Sequence, residues 1–169
     1  IHSELAKQFA SHTINRTYWA VVWGRFKNSQ GEIIGNIGRS KKDRKLFAVV
    51  ENEGKHAHTY YKVLEEYEFA SLVELKLKTG RTHQIRVHLS SLNHPVFGDS
   101  TYGGRKIVHG FNLQKIRSRI ETLFKIIDRQ ALHAKTLGFI HPRSGEYMEF
   151  DSELPEDINE IILVGGSTR

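Results

Sequence analysis

The segment Thr79-Gly-Arg-Thr-His-Gln-Ile-Arg-Val-His-Leu89 gathers polar and basic residues at what reads as the start of a helix. Free backbone N–H groups and the helix dipole favour an anion there. Arg86 follows Thr82 by four residues and His83 by three, so the three share a helical face. A guanidinium held on that face can brace a carboxylate or a phosphate with two parallel hydrogen bonds. The residues alone leave a second reading open, in which Arg81 and Arg86 are solvated charges on an ordinary amphipathic helix. Tyr18 is equally two-sided. Beside Trp19 in an apolar run, it reads as a core tyrosine or as a ring lining a pocket, able to stack on a base.

Other chemistries find little footing. Ten histidines invite a metal, but no His-Glu-x-x-His spacing occurs and cysteine is absent. His83 and His88 are five apart and fall on different helical faces. No metal site and no cofactor are therefore expected: neither glycine-rich nucleotide motif is present, and no Gly-x-Ser-x-Gly marks a nucleophilic serine. Lys and Arg number 25 against 19 Asp and Glu, giving +6 and a pI of about 9.5. Such a balance attracts polyanions, nucleic acid first. The run Gly38-Arg-Ser-Lys-Lys-Asp-Arg-Lys45 sets five cations against one carboxylate, too polar for a core and too short for a disordered tail. No apolar run approaches the roughly 20 residues of a membrane span and no secretory pattern opens the chain, so cytoplasm is the simplest compartment.

These residues need elements to position them. An opening amphipathic helix carries Leu5 and Phe9, with Ala6 and Ala10 beside them. Thr17 to Trp23 is aromatic and β-branched, a buried strand bounded by Gly24. Strands are expected over Thr59–Leu64 and Ser71–Lys78, the second alternating Val73, Leu75 and Leu77 with Glu74, Lys76 and Lys78. Thr79-Gly80 breaks that strand. The next helix takes Thr82 as its N-cap, shows an Ile85, Leu89, Leu92 stripe, and stops at Asn93-His94-Pro95. A turn-rich loop follows from Gly98 to Gly104. A longer helix over Leu113–Ile127 turns Ile116, Ile120, Leu123, Phe124 and Ile127 inward. Two strands flank Pro142–Gly145, a last helix begins near Pro155, and residues 163–169 read as a flexible tail. The order of elements predicts one α+β domain over residues 1–169, with a mixed, largely antiparallel sheet and flanking helices.

The Thr79–His88 segment resembles the signature of the RluA/RluD-type RNA pseudouridine synthases, which act on large-subunit ribosomal RNA and tRNA. Four further stretches resemble the family in the same order: Arg16-Thr-Tyr18 through Gly24, the basic run Gly38–Lys45, His94-Pro through Gly104, and Arg129 through Pro142. The resemblance implies a fold with part of its N-terminal side outside this chain, and isomerisation of a flipped-out uridine without cofactor or metal. It assigns Tyr18 to the active-site tyrosine and Arg86 to the arginine that pairs with the catalytic aspartate. It implies RNA contacts from Arg39, Lys41, Lys42 and Arg44 of the basic loop and from Arg81, His83 and Gln84 of the signature. The family's nucleophile lies in a His-Arg-Leu-Asp run before the tyrosine strand. No such run occurs here, and Asp43, Asp99 and Asp128 do not match its position. With a chain that starts at Ile1 and has Met148 as its one methionine, the nucleophile is expected upstream, and these residues alone are expected to be inactive. The expected partner is RNA, ribosomal before transfer, bound by a monomer. The alternative from another class is a non-catalytic RNA-binding module resting on the basic loop and the net charge.

Overall fold

The structure, a computed structural model, describes residues 1–107 and 114–166. Its elements are α1 (His2–Ala10), β1 (Asn15–Trp23), β2 (Gln30–Ile34), β3 (Asn36–Arg39), β4 (Phe47–Val50), β5 (His58–Glu66), β6 (Ala70–Leu77), α2 (Gln84–Ser91), α3 (Gln114–Ile126), β7 (Leu132–Ile140), β8 (Tyr147–Asp151) and α4 (Glu156–Gly166). Six strands form one sheet in the order β2-β5-β6-β1-β7-β8, and β3 with β4 forms a separate hairpin. Every ladder in both is antiparallel. The α+β architecture expected from the sequence is the one observed.

β1 lies inside the sheet because its second half can be buried on both sides. Ala20, Val21, Val22 and Trp23 are all buried, the pattern of an internal rather than a half-exposed strand. Trp23 packs against Phe69, Phe97 and Phe124 and donates its indole N–H to the Gly104 carbonyl at 2.7 Å. Around it, Val73 and Leu75 of β6, Ile85 and Leu89 of α2, Ile120 and Leu123 of α3, and Ile158 and Ile161 of α4 close one core. A second cluster of Ile37, Ala57, Val87 and Tyr102, with Leu46 and Phe47 against it, fastens the β3–β4 hairpin to α2.

Several expectations are revised. α1 forms but buries no side chain, and Phe9 stays 45% exposed. The helix is instead tied to the end of β7 by Gln8, whose amide donates to the Ile140 carbonyl and accepts from the Ile140 N–H. The glycine-punctuated stretch from Gly31 onward holds β2 and β3, which are short and show one buried apolar side chain each, Ile33 and Ile37. Leu92 is exposed at 41% because α2 ends at Ser91, so only Ile85 and Leu89 of the stripe face the core. Residues 163–166 are helical rather than tail, since α4 runs to Gly166 with Ile158 and Ile161 anchoring it. Leu113, expected in the long helix, lies outside the described residues, as do residues 167–169. Among the described residues no helix is long and apolar enough to cross a membrane.

Candidate active site

β6 ends where Thr79 bends the chain toward α2, and the turn is held by side chains turned inward. Thr79 Oγ1 accepts the His58 N–H at 2.9 Å and donates to Gln84 Oε1 at 2.8 Å. Gln84 Oε1 also accepts the Arg81 N–H, while its Nε2 donates to the His58 carbonyl and to Thr59 Oγ1. Thr59 Oγ1 meets His88 Nδ1 at 2.8 Å, and His88 Nε2 lies 3.0 Å from the Gly35 carbonyl. A carbonyl only accepts, so Nε2 carries the proton and Nδ1 accepts from the threonine hydroxyl. Burial, the main cause, pushes the His88 pKa down and keeps the ring neutral.

This network corrects two sequence assignments. Thr82 does not cap α2. The N-cap is His83, in the left-handed region at φ 53° and without a side-chain cap bond, while the Gln84 side chain satisfies the Arg81 N–H instead. Gln84 is only 2% exposed and both ends of its amide are engaged within the protein, so it offers RNA no face. Its place is structural because a buried amide whose two donors and acceptor oxygen are all engaged has nothing left to donate.

Arg86 projects from the other side of α2. Its Nε and Nη2 donate to Oδ2 and Oδ1 of Asp99 at 2.7 and 3.0 Å, a bidentate fork. The side chains are 13% and 1% exposed. The Tyr102 ring lies under the guanidinium, 4.9 Å from Cζ. The hydrogen bond to Asp99 holds Arg86 still more firmly protonated. Tyr102 Oη accepts the Phe47 N–H and sits 2.7 Å from His83 Nδ1, so the hydroxyl proton is available to the imidazole. Partial burial first, then the charge of Arg86, lowers the His83 pKa, favouring a neutral ring bearing its proton on Nε2.

Tyr18 lies on β1 opposite Leu75, which is itself opposite Tyr61, so these three neighbour one another on one face of the sheet. It packs on the same core cluster as Ile85 and Leu89 of α2. Tyr18 packs on the main core while Arg86 sits between Asp99 and the Tyr102 ring, without a hydrogen bond between Tyr18 and Arg86. Two residues before Tyr18 on the same face, Arg16 keeps its Nε buried, with no hydrogen-bond partner among the described residues. Its guanidinium lies against the position of Gly80, where a Cβ would come within 3.1 Å of Nη2. Arg16 and Asp99 are the site residues that sequence reasoning did not single out. Both lie in stretches that resemble the family, and Arg16 is spaced i−2 from Tyr18; what the sequence did not give was the partner of Asp99, which comes from another element.

The basic loop is an ordered turn. Ser40 Oγ accepts the N–H groups of Lys42 and Asp43, and Asp43 Oδ1 accepts that of Lys45. Lys41, Lys42 and Arg44 are exposed. Arg39 stacks on Phe47, with Cζ 4.4 Å from the ring centroid. Arg81 is anchored by its Nε to the His56 carbonyl at 2.8 Å. Arg39, Phe47, Lys55, Gly80 and Arg81 line a cleft of about 330 Å³ between the hairpin and the turn into α2. His83 is exposed immediately before α2. Among the described residues no group of three or more His, Asp or Glu side chains is placed to hold a metal ion.

Comparison with known proteins agrees with this arrangement. A protein of Chlorobaculum parvum named as an uncharacterized RNA pseudouridine synthase is 45% identical over 163 residues, covering 95% of this chain and 49% of its own length. The ribosomal large subunit pseudouridine synthase D of Zymomonas mobilis is 44% identical over 158 residues, covering 93% of this chain and 47% of its own. The chain thus spans about half the length of these curated relatives. Among solved structures, human RNA pseudouridylate synthase domain containing 1 superposes with a TM-score of 0.68 at 29% identity, over 89% of this chain and 59% of that one. Human RNA pseudouridylate synthase domain containing 4 shares the fold, with a TM-score of 0.74 at 23% identity, over 96% of this chain and 66% of that one. With the family profile described as RNA pseudouridylate synthase matching residues 1–91, the chain belongs to that family.

Proposed function

We propose that the protein isomerises uridine to pseudouridine in RNA, with large-subunit ribosomal RNA as the substrate class. Family membership and the ribosomal names of its relatives support that choice. The reaction breaks the bond between ribose C1′ and uracil N1 and forms one between C1′ and C5; C5 loses a proton and N1 gains one. Arg86 is the observation that carries the reading. It is a partly buried guanidinium fixed along one edge, and among the described residues its Nη1 makes no hydrogen bond. That open edge suits a second carboxylate, which it would orient and keep ionised at neutral pH. The nucleophilic aspartate is assigned to a segment outside residues 1–169. Tyr18 packs on the flipped base and serves proton movement at C5.

The cleft between hairpin and α2 takes the RNA backbone, with Arg39 and Arg81 as pre-anchored forks and Lys41, Lys42, Arg44 and His83 around it. Arginines already fixed by one bond lose less freedom on binding phosphate than free ones. The working enzyme is a cytoplasmic monomer without metal.

Release of tritium from RNA carrying 5-tritiated uridine tests this reading. The full gene product is expected to release tritium and the 169-residue chain none. Silence from the full gene product on ribosomal and transfer RNA, together with RNA affinity that falls steeply with salt, would favour the alternative RNA-binding module built on the hairpin. Arg86→Lys keeps the charge but loses the planar fork, so turnover is expected to fall far more than RNA binding. Tyr18→Phe retains stacking; unchanged turnover there would confine Tyr18 to packing.

A further inference from the structure

We propose that Asp99 is a positioning residue: it grips Arg86 along the Nε/Nη2 edge of the guanidinium, so that the end-on Nη1/Nη2 edge is presented in a fixed direction to the reacting carboxylate. The inference rests on the function proposed above.

A guanidinium offers five N–H donors in a rigid plane. Asp99 engages Nε and one hydrogen of Nη2. Of the three donors left, one on Nη1 and one on Nη2 form the end-on fork. Asp99 itself is no candidate nucleophile. It is 1% exposed, and its Oδ1 also accepts the N–H groups of Thr101 at 3.0 Å and Tyr102 at 3.2 Å. Those two backbone bonds fix the carboxylate, and the Tyr102 ring beneath Arg86 limits tilting of the guanidinium plane.

The loop that holds Asp99 is itself fastened to the strand of Tyr18. Phe97 N–H donates to the Val21 carbonyl at 2.8 Å, and Trp23 N–H to the Pro95 carbonyl at 3.0 Å. Gly104 N–H donates to the Asp99 carbonyl at 2.6 Å, while the Trp23 indole holds the Gly104 carbonyl. Gly98, at φ 81°, passes so close to the Arg129 carbonyl that a Cβ would collide with it. Asp99 therefore registers a helix residue, Arg86, against the β1 frame. Without it, Arg86 would be left to its flexible stem and the Tyr102 ring.

The experiment uses the full gene product and its Asp99→Asn variant, which keeps the shape but turns the charge off and sets an amide against one nitrogen of Arg86. Turnover and KM are measured on transcribed large-subunit ribosomal RNA by tritium release. Solvent exchange of the Arg86 Nε–H is followed by NMR with isotope-labelled arginine. The expected result is a kcat lower by about 100-fold, the scale of a 1 Å misplacement, with KM within about twofold. Arg86 Nε–H should change from slow to fast exchange. A kcat within about threefold of wild type, or a loss carried by KM alone, would overturn the proposal. So would an Arg86 Nε–H in the wild type that exchanges as fast as exposed Arg44, a readout that stands even where the variant does not fold. If the wild type forms no pseudouridine, the functional reading itself fails; an active wild type with an equally active Asp99→Asn sinks only the role of Asp99.

Discussion

Among the described residues there are two bidentate arginine–aspartate forks, Arg86 with Asp99 and Arg129 with Asp157, and they differ in what is left over. Arg129 donates Nε and Nη2 to Asp157 at 3.1 and 2.9 Å, and its Nη1 reaches the carbonyls of Gln130 and Leu132. All three of its nitrogens are engaged, and the pair is 40% and 28% exposed. Arg86 has nearly the same fork to Asp99, at 13% and 1% exposure, with Nη1 unengaged among the described residues. The first arrangement ties α4 to the start of β7 and is complete. The second is held yet unsaturated, the state expected of a group that receives a partner during a reaction. Bidentate geometry by itself therefore does not separate structural from functional arginines; the unfilled edge does.

Removing each arginine sharpens the contrast most. Arg86→Ala strands the Asp99 carboxylate in the interior and is expected to cost roughly 3–5 kcal/mol. Arg129→Ala, at a partly solvated pair, should cost at most about 1 kcal/mol. Denaturant titration of both variants measures the difference, and equal losses would erase the distinction.

Gln84→Ala comes next. It leaves the Thr79 hydroxyl and the Arg81 N–H without their acceptor and removes a donor from the His58 carbonyl, so about 2–3 kcal/mol of stability should be lost. A loss below about 0.5 kcal/mol would return Gln84 to the solvent-facing set.

The pH response is smaller and has a definite sign. Burial lowers the folded pKa of His88 below its ordinary 6.5. Between the folded and unfolded values the unfolded chain binds more protons, so stability is fully present above about pH 6.5 and declines as pH falls below it. The neighbouring His83 is shifted the same way and adds to the slope. Thermal unfolding of wild type and His88→Asn from pH 8 to pH 5 should show a steeper decline for the wild type. Parallel curves would mean that His88 does not hold its neutral state in the fold.

The smallest effect on stability and the plainest on binding belong to the hairpin. Lys41, Lys42 and Arg44 are exposed, so replacing all three with Ala should shift stability by no more than about 0.5 kcal/mol per site. RNA affinity should fall, and the slope of log K against log salt should flatten by about 0.7 for each phosphate that is no longer neutralised. An unchanged slope would remove these cations from the RNA interface.

Part of this was legible beforehand because local patterns encode it. The long buried run of β1, the alternation of β6, the Ile116–Ile120–Leu123 stripe of α3 and the proline-led start of α4 each carry their periodicity within a few residues. β2 and β3 did not declare themselves, since each buries one apolar side chain and owes its strand form to a neighbour: β5 for β2, and β4 for β3. The exposed apolar face of α1 was equally hidden, because amphipathicity records what a helix can bury and not what covers it.

The same division runs through the site. By residue type and order alone, the chain determined an arginine on a helix face, a tyrosine in a strand, a cationic turn and a resemblance to one enzyme family. Only the tertiary structure decided that Gln84 and His88 turn inward while Arg86 turns to Asp99. Three residues of spacing separate Arg86 from His83 whatever the fold. Which carboxylate meets the guanidinium, and which of its edges stays open, depends on a loop thirteen residues farther on, pinned to β1 by backbone hydrogen bonds. Those bonds join segments distant in sequence, and nothing in local propensity records such pairings.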